Sequence, residues 1–253
     1  MKEIANNKLK VHQTLFIIFG SFLPCIISGR VNILPYILCL VLIILKTFGI
    51  KKLNVFIFIF PILAWFLFHH LSYVLTPNWQ LKVLVLITVF YLAHHTYQNI
   101  SRTNFVFAIL SFLFFAFLIV SMVFASKAIN YQNNFVISFN ILDYLFLILV
   151  PADFDTTRKK SYIVGSSLML FLIFIASFFL AAISINGNNI FQGIAKVSSP
   201  LAYFITRLDT FAICFYAAML VNQLALLING IKNLFPRFKI IVIAGLFIIL
   251  LIF

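Results

Sequence analysis

One carboxylate stands inside an apolar run. Asp143 lies in the stretch ILDYLFLILV, residues 141–150. A charge at mid-membrane depth costs at least about 2.5 kcal/mol on insertion scales, so it must face the bundle interior, a partner or water. There it binds a cation or an ammonium group, or carries a proton itself. A hydrogen bond to a neighbouring helix is the purely structural alternative. A second candidate is Gly20-Ser21, followed by Pro24. Glycine weakens a helix by about 1 kcal/mol, and proline removes a backbone hydrogen bond. An interrupted helix offers its freed backbone groups to a ligand or ion. The alternative is close helix packing at Gly20 and Ser21, with a simple kink at Pro24.

Arg207 and Asp209 sit in another long apolar run. Ser199-Pro200 reads as a helix start, N-cap then first turn. Residues two apart do not face each other on a helix, so Arg207 and Asp209 are expected to take different partners, as interhelical ion pairs or as a snorkelling arginine. Two histidine pairs, His69-His70 and His94-His95, point to different helix faces and read as interfacial or satisfied buried side chains. Cys25, Cys39 and Cys214 all lie in apolar runs and read as small packing residues. Their spacing matches no metal site or disulfide framework. Asp153 and Asp155 precede Arg158-Lys159-Lys160, a solvated loop with local ion pairs. No nucleotide loop, nucleophile elbow, zinc helix or paired carboxylates occur, so neither enzyme activity nor a cofactor is expected.

The elements that position these residues follow from composition. Of 253 residues, 64% are hydrophobic and 9% charged. Soluble domains carry roughly 25% charged residues, so the chain needs the bilayer as a second solvent. Its apolar runs are too long for alternating barrel strands and suit spanning helices of about 20 residues. The expected fold is an all-α polytopic membrane protein. It is one transmembrane domain over 1–253, with about nine spans. They fall near 12–28, 31–48, 53–75, 80–98, 104–126, 135–151, 161–184, 200–228 and 239–253. The first run lacks a small-residue cleavage site and reads as a retained span rather than a signal peptide.

The net charge of +13 is scattered among short loops, which argues against nucleic acid as a partner and for a topological role beside membrane lipids. Lys2, Lys8 and Lys10 lie in the N-terminal tail. Lys46, Lys51, Lys52, Arg102, Arg158, Lys159, Lys160, Lys232, Arg237 and Lys239 lie in every second loop. The alternate loops hold only Arg30, Lys82, Lys127 and Lys196. This bias places the N-terminus in the cytoplasm and the C-terminus outside. Spans one and six then run in opposite directions, as in an inverted repeat whose interrupted helices meet at a midplane site.

The stretch 197–235, with Arg207, Leu208 and Asp209 in a Phe-x-x-Arg-Leu-Asp phrase, resembles the membrane-embedded B subunit of spore nutrient germinant receptors. Residues 141–160 resemble that family's sixth span, with Asp143 and Pro151 in place. Residues 91–110 resemble its fourth-span exit, with Arg102 in the position of a characteristic arginine. GSFLP at 20–24 resembles its broken first helix. The match is most specific over 141–235. Ile141 and Leu142 stand where the family has a glycine.

The resemblance implies membership of the amino acid–polyamine–organocation permease superfamily. It also implies a LeuT-like five-plus-five inverted repeat with the last helix missing. Gly20, Ser21 and Asp143 would bind a ligand or ion. Pro24, Arg102, Arg207 and Asp209 would have structural or coupling roles. The implied activity is to bind a small nutrient, typically an amino acid, and take part in starting spore germination, in the spore inner membrane. A larger membrane subunit and a lipoprotein are the implied partners. Two alternatives stay open: a free-standing amino acid/cation transporter, and a structural membrane subunit without transport.

Overall fold

The computed structural model describes residues 8–28, 32–50, 52–74, 79–125, 140–183, 208–234 and 245. Among them nearly every residue is helical and none belongs to a strand. The helices are α1 (Val11–Ser28), α2 (Leu34–Thr47), α3 (Phe60–Val74), α4 (Trp79–His94), α5 (Tyr97–Ala125), α6 (Lys159–Ile183) and α7 (Leu208–Leu234). A 3₁₀ helix, Lys52–Ile59, runs directly into α3. A second, Ile141–Leu149, and a third, Thr156–Arg158, precede α6. Among the described residues three helical runs are long and apolar enough to cross a membrane: Leu53–Val74, Thr156–Phe178 and Ile213–Asn233. Val11–Ile26, Leu34–Thr47 and Gln80–His94 are shorter apolar helices.

The helix ends have local causes. At the start of α1 the Gln13 side chain accepts from the Lys10 N–H at 3.0 Å, one half of a capping box. Asn32 accepts from Leu34 N at 3.2 Å, and Pro35 occupies the first turn of α2. Gly49, at φ +79°, lets the chain leave α2 in a left-handed turn. Only His95 and Thr96 separate α4 from α5.

α7 is the hub. Every residue from Asn222 to Ile231 is buried, and a helix buried all round lies inside a bundle. It packs against α3, α4, α5 and α1. α1 packs against α5, α6 and the Ile141–Leu149 helix, and α2 against α6. α6 is the opposite case. Val164, Leu168, Phe171 and Leu172 form one exposed apolar face at i, i+4, i+7 and i+8, a surface suited to lipid.

Several expected boundaries move. α5 begins at Tyr97, so Arg102 lies within a helix rather than in a loop. Lys232 likewise lies within α7, and Lys159 and Lys160 open α6. A helix satisfies its own backbone groups and continues beyond the apolar run that flags it in sequence. Residues 126–139, 184–207, 235–244 and 246–253 are outside the described residues, and with them most of the ninth expected span. Two larger corrections concern the candidate site. α1 is continuous through Gly20 and Pro24. Pro24 deprives the Gly20 carbonyl of one N–H donor, but packing on several sides holds the helix together. Of the sixth expected span, residues 135–139 are outside the described residues; Ile141–Leu149 is a nine-residue 3₁₀ helix with Asp143 in its first turn.

One end of the bundle gathers the basic segments. Leu9 N donates to Asp153 O at 2.9 Å, and the Tyr162 hydroxyl donates to Leu9 O. Lys8 pairs with Asp155 at 3.9 Å. Lys46 Nζ donates to Val150 O at 2.6 Å, and the Tyr97 hydroxyl to Ile148 O at 2.8 Å. Lys232 Nζ donates to His94 O at 3.1 Å, and Asn229 Nδ2 to His95 O at 2.7 Å.

Candidate functional site at the centre of the bundle

Asn140 starts the short helix that carries Asp143: its side chain accepts from Leu142 N at 3.2 Å. The Asp143 backbone N–H donates to Asn140 O at 3.0 Å. This turn presses Asp143 against α1, where the side chain is 6% exposed. The Cys25 thiol donates to Asp143 Oδ1 at 3.0 Å. Spans one and six therefore do meet, through Cys25 and Asp143.

Aromatic rings surround the pair. Phe22 stacks on Tyr36 with centroids 4.5 Å apart, and on Phe146 at 6.1 Å. The Tyr36 hydroxyl shares a 3.0 Å hydrogen bond with Ser177 Oγ, tying α2 to α6. Tyr216 meets His70 Nε2 at 2.6 Å, joining α7 to α3. A carboxylate met by a thiol, among phenols and ring faces, suits a cation or an ammonium group.

A second polar group lies one helical turn away on α1. Ser21 Oγ donates to Ile17 O at 2.8 Å and stands 3.5 Å from Gln223 Oε1. Gln223 Nε2 reaches Ile17 O at 3.5 Å and Asn104 Oδ1 at 3.4 Å. Gly20 makes this approach possible: a Cβ there would lie 2.2 Å from Gln223 Nε2 and 2.6 Å from Met219 Cε. Gly20 and Ser21 are thus a close-packing site between α1 and α7, and Ser21 and Cys25 share one face of α1.

The remaining candidates lie elsewhere. Pro24 is buried in α1. Arg102 is exposed on α5. Arg207 and the Asp209 side chain are outside the described residues; Asp209 is the second residue of α7. His69 is exposed and stacks on Trp65 at 5.9 Å. His94 and His95 are exposed at the basic end. Cys25 and Cys39 are buried, whereas Cys214 is exposed, against the expectation of three packing thiols. Among the described residues no His, Cys, Asp and Glu side chains cluster to hold a metal.

Sequence reasoning missed Cys25, Tyr36, Asn104, Tyr216 and Gln223 as site residues. Cys25 had a usable signal, four residues after Ser21 on one helix face. Asn104 and Gln223 had another, as amides in long apolar runs. The chain matches no protein-family model, no curated protein and no solved structure.

Proposed function

We propose that the chain is a multi-pass membrane protein with a cytoplasmic N-terminus, and that its buried centre binds a small ligand bearing an ammonium group. The observation that carries this reading is Asp143, delivered by a short 3₁₀ helix onto α1 and met there by Cys25. The convergence of the tail, Lys46, Lys159 and Lys232 segments at one end supports the orientation. The resemblance to germinant-receptor B subunits makes the ligand an amino acid, with Asp143 the counter-charge for its ammonium. On this reading the chain works beside a larger membrane subunit and a lipoprotein to start spore germination, on a LeuT-like frame.

The test is amino-acid binding to the full chain in lipid nanodiscs, read as a ligand-dependent rise in melting temperature. At least one amino acid should stabilise the protein, and Asp143→Asn should abolish that response. Equal responses in both proteins would remove Asp143 from the site. Uptake into proteoliposomes by the chain alone would favour the transporter reading instead.

A further inference from the structure

Ser21, Asn104 and Gln223 come from three helices, and each is completely buried. Their hydrogen bonds do not close. The Ser21 hydroxyl has one proton and spends it on Ile17 O at 2.8 Å. Gln223 Oε1, 3.5 Å from that hydroxyl, is left without a full donor. Gln223 Nε2 serves Ile17 O and Asn104 Oδ1 at 3.5 and 3.4 Å, both at the outer limit of a hydrogen bond. Among the described residues Asn104 Nδ2 has no acceptor. The Asn104 N–H donor thus lacks a partner here, and the Gln223 carbonyl has only a long one.

We infer that this junction of α1, α5 and α7 is a binding site for internal water. A metal cation would leave the Asn104 N–H unmet, and an anion would face Ile17 O and Gln223 Oε1. Water accepts from Asn104 Nδ2 and donates to Gln223 Oε1 at once. Buried water takes two to four polar partners of this kind. Two further features extend the site. Ser111 lies seven residues beyond Asn104 on the same face of α5, is also completely buried, and its hydroxyl has no partner among the described residues. Cys25 lies one turn beyond Ser21 on α1 and holds Asp143. Water at the junction therefore stands one turn from the buried carboxylate.

Met219 is a built-in reporter. It is completely buried, yet its methyl group lies beside Gln223 in the space that Gly20 leaves open. Methionine sulfur is readily oxidised. Brief radiolysis of the full chain in nanodiscs, in water enriched in oxygen-18, converts water next to a side chain into hydroxyl radical on the spot. Met219 is expected to take up the label as fast as half-buried Met169, and Asn104→Leu, which removes the unmet donor, to slow Met219 severalfold while leaving Met169 unchanged. Met219 unlabelled in the wild-type chain, which needs no variant to fold, would overturn the proposal. So would undiminished labelling in folded Asn104→Leu. Asp143→Asn leaves the junction intact and should label as the wild type does, which separates this site from the proposed ligand site.

Discussion

Cys25 Sγ donates to Asp143 Oδ1 across 3.0 Å, joining two segments 118 residues apart in the chain. A thiol is a weak donor, and the carboxylate it serves is nearly excluded from solvent. Cys25→Ser keeps a donor of similar size, and its melting temperature should stay close to the wild type. Cys25→Ala removes the donor and should cost about 1–3 kcal/mol, the penalty for a buried polar group losing a partner. Thermal unfolding of both variants in nanodiscs checks the contrast; equal losses would show the thiol to be packing only.

Gly20 should not accept a side chain. An alanine Cβ would sit 2.2 Å from Gln223 Nε2 and 3.2 Å from its Cδ. Gln223 is buried and cannot swing into solvent, so Gly20→Ala should destabilise by about 1–3 kcal/mol, the usual cost of overpacking. Pairing it with Gln223→Ala should recover part of that loss, and a double-mutant cycle measures the coupling.

Tyr216→Phe deletes the hydroxyl that meets His70 Nε2 at 2.6 Å and keeps the ring, which lies edge-on to the imidazole. The loss should be about 1 kcal/mol, one hydrogen bond's net worth. A His70→Ala background should shrink it, since the hydroxyl then has no imidazole to lose.

Asp155 gives a pH dependence at the basic end. The Thr157 backbone N–H donates to its carboxylate, as does the Thr157 hydroxyl, and together with the Lys8 and Arg158 charges these hold its pKa below the ordinary value. A depressed carboxylate stabilises the fold above its unfolded pKa of about 3.9, and that contribution is lost as pH falls through the lower folded value. Asp155→Asn should therefore flatten the acid side of the stability profile, lower its neutral and alkaline plateau, and match the wild type only below the folded pKa. An identical acid limb in the variant would assign the effect to another group.

The gathered basic end predicts sidedness. In a cysteine-free background, single cysteines at Lys8 and Lys160 should react with an impermeant maleimide only from the cytoplasmic side. One at Tyr73, 79% exposed near the end of α3, should react only from the other. Labelling of all three from one side would overturn the proposed topology.

Much of the helical frame was legible in the sequence because the bilayer imposes its length on apolar runs and its polarity on their flanks. Among the described residues, the segments around Lys8, Lys46, Lys159 and Lys232 gather at one end of the bundle. Asp143 and Gly20-Ser21 were legible as residues out of place in their runs. Their partners were not. Ser21 meets Gln223 across 202 positions, and no local pattern encodes such a pairing. Of the two readings open for Gly20-Ser21 and Pro24, interruption or close packing, α1 shows a continuous helix, because propensity is a weak prior that tertiary packing overrides. That Ile141–Leu149 is a 3₁₀ rather than an α-helix was not legible, because nine residues are too few for periodicity to separate the two.

The burial of α7 also constrains how the protein is made. Its spanning stretch is the least apolar of the three long ones, and it carries Asn222, Gln223, Asn229, Lys232 and Asn233. Alone in lipid Gln223 would lose Ile17 and Asn104 as partners, and Asn229 would lose Ala93 and His95. Yet α3, α4 and α5, on which α7 packs, precede it in the chain and leave the ribosome first. Among the described helices the core one is thus made after the three that line it.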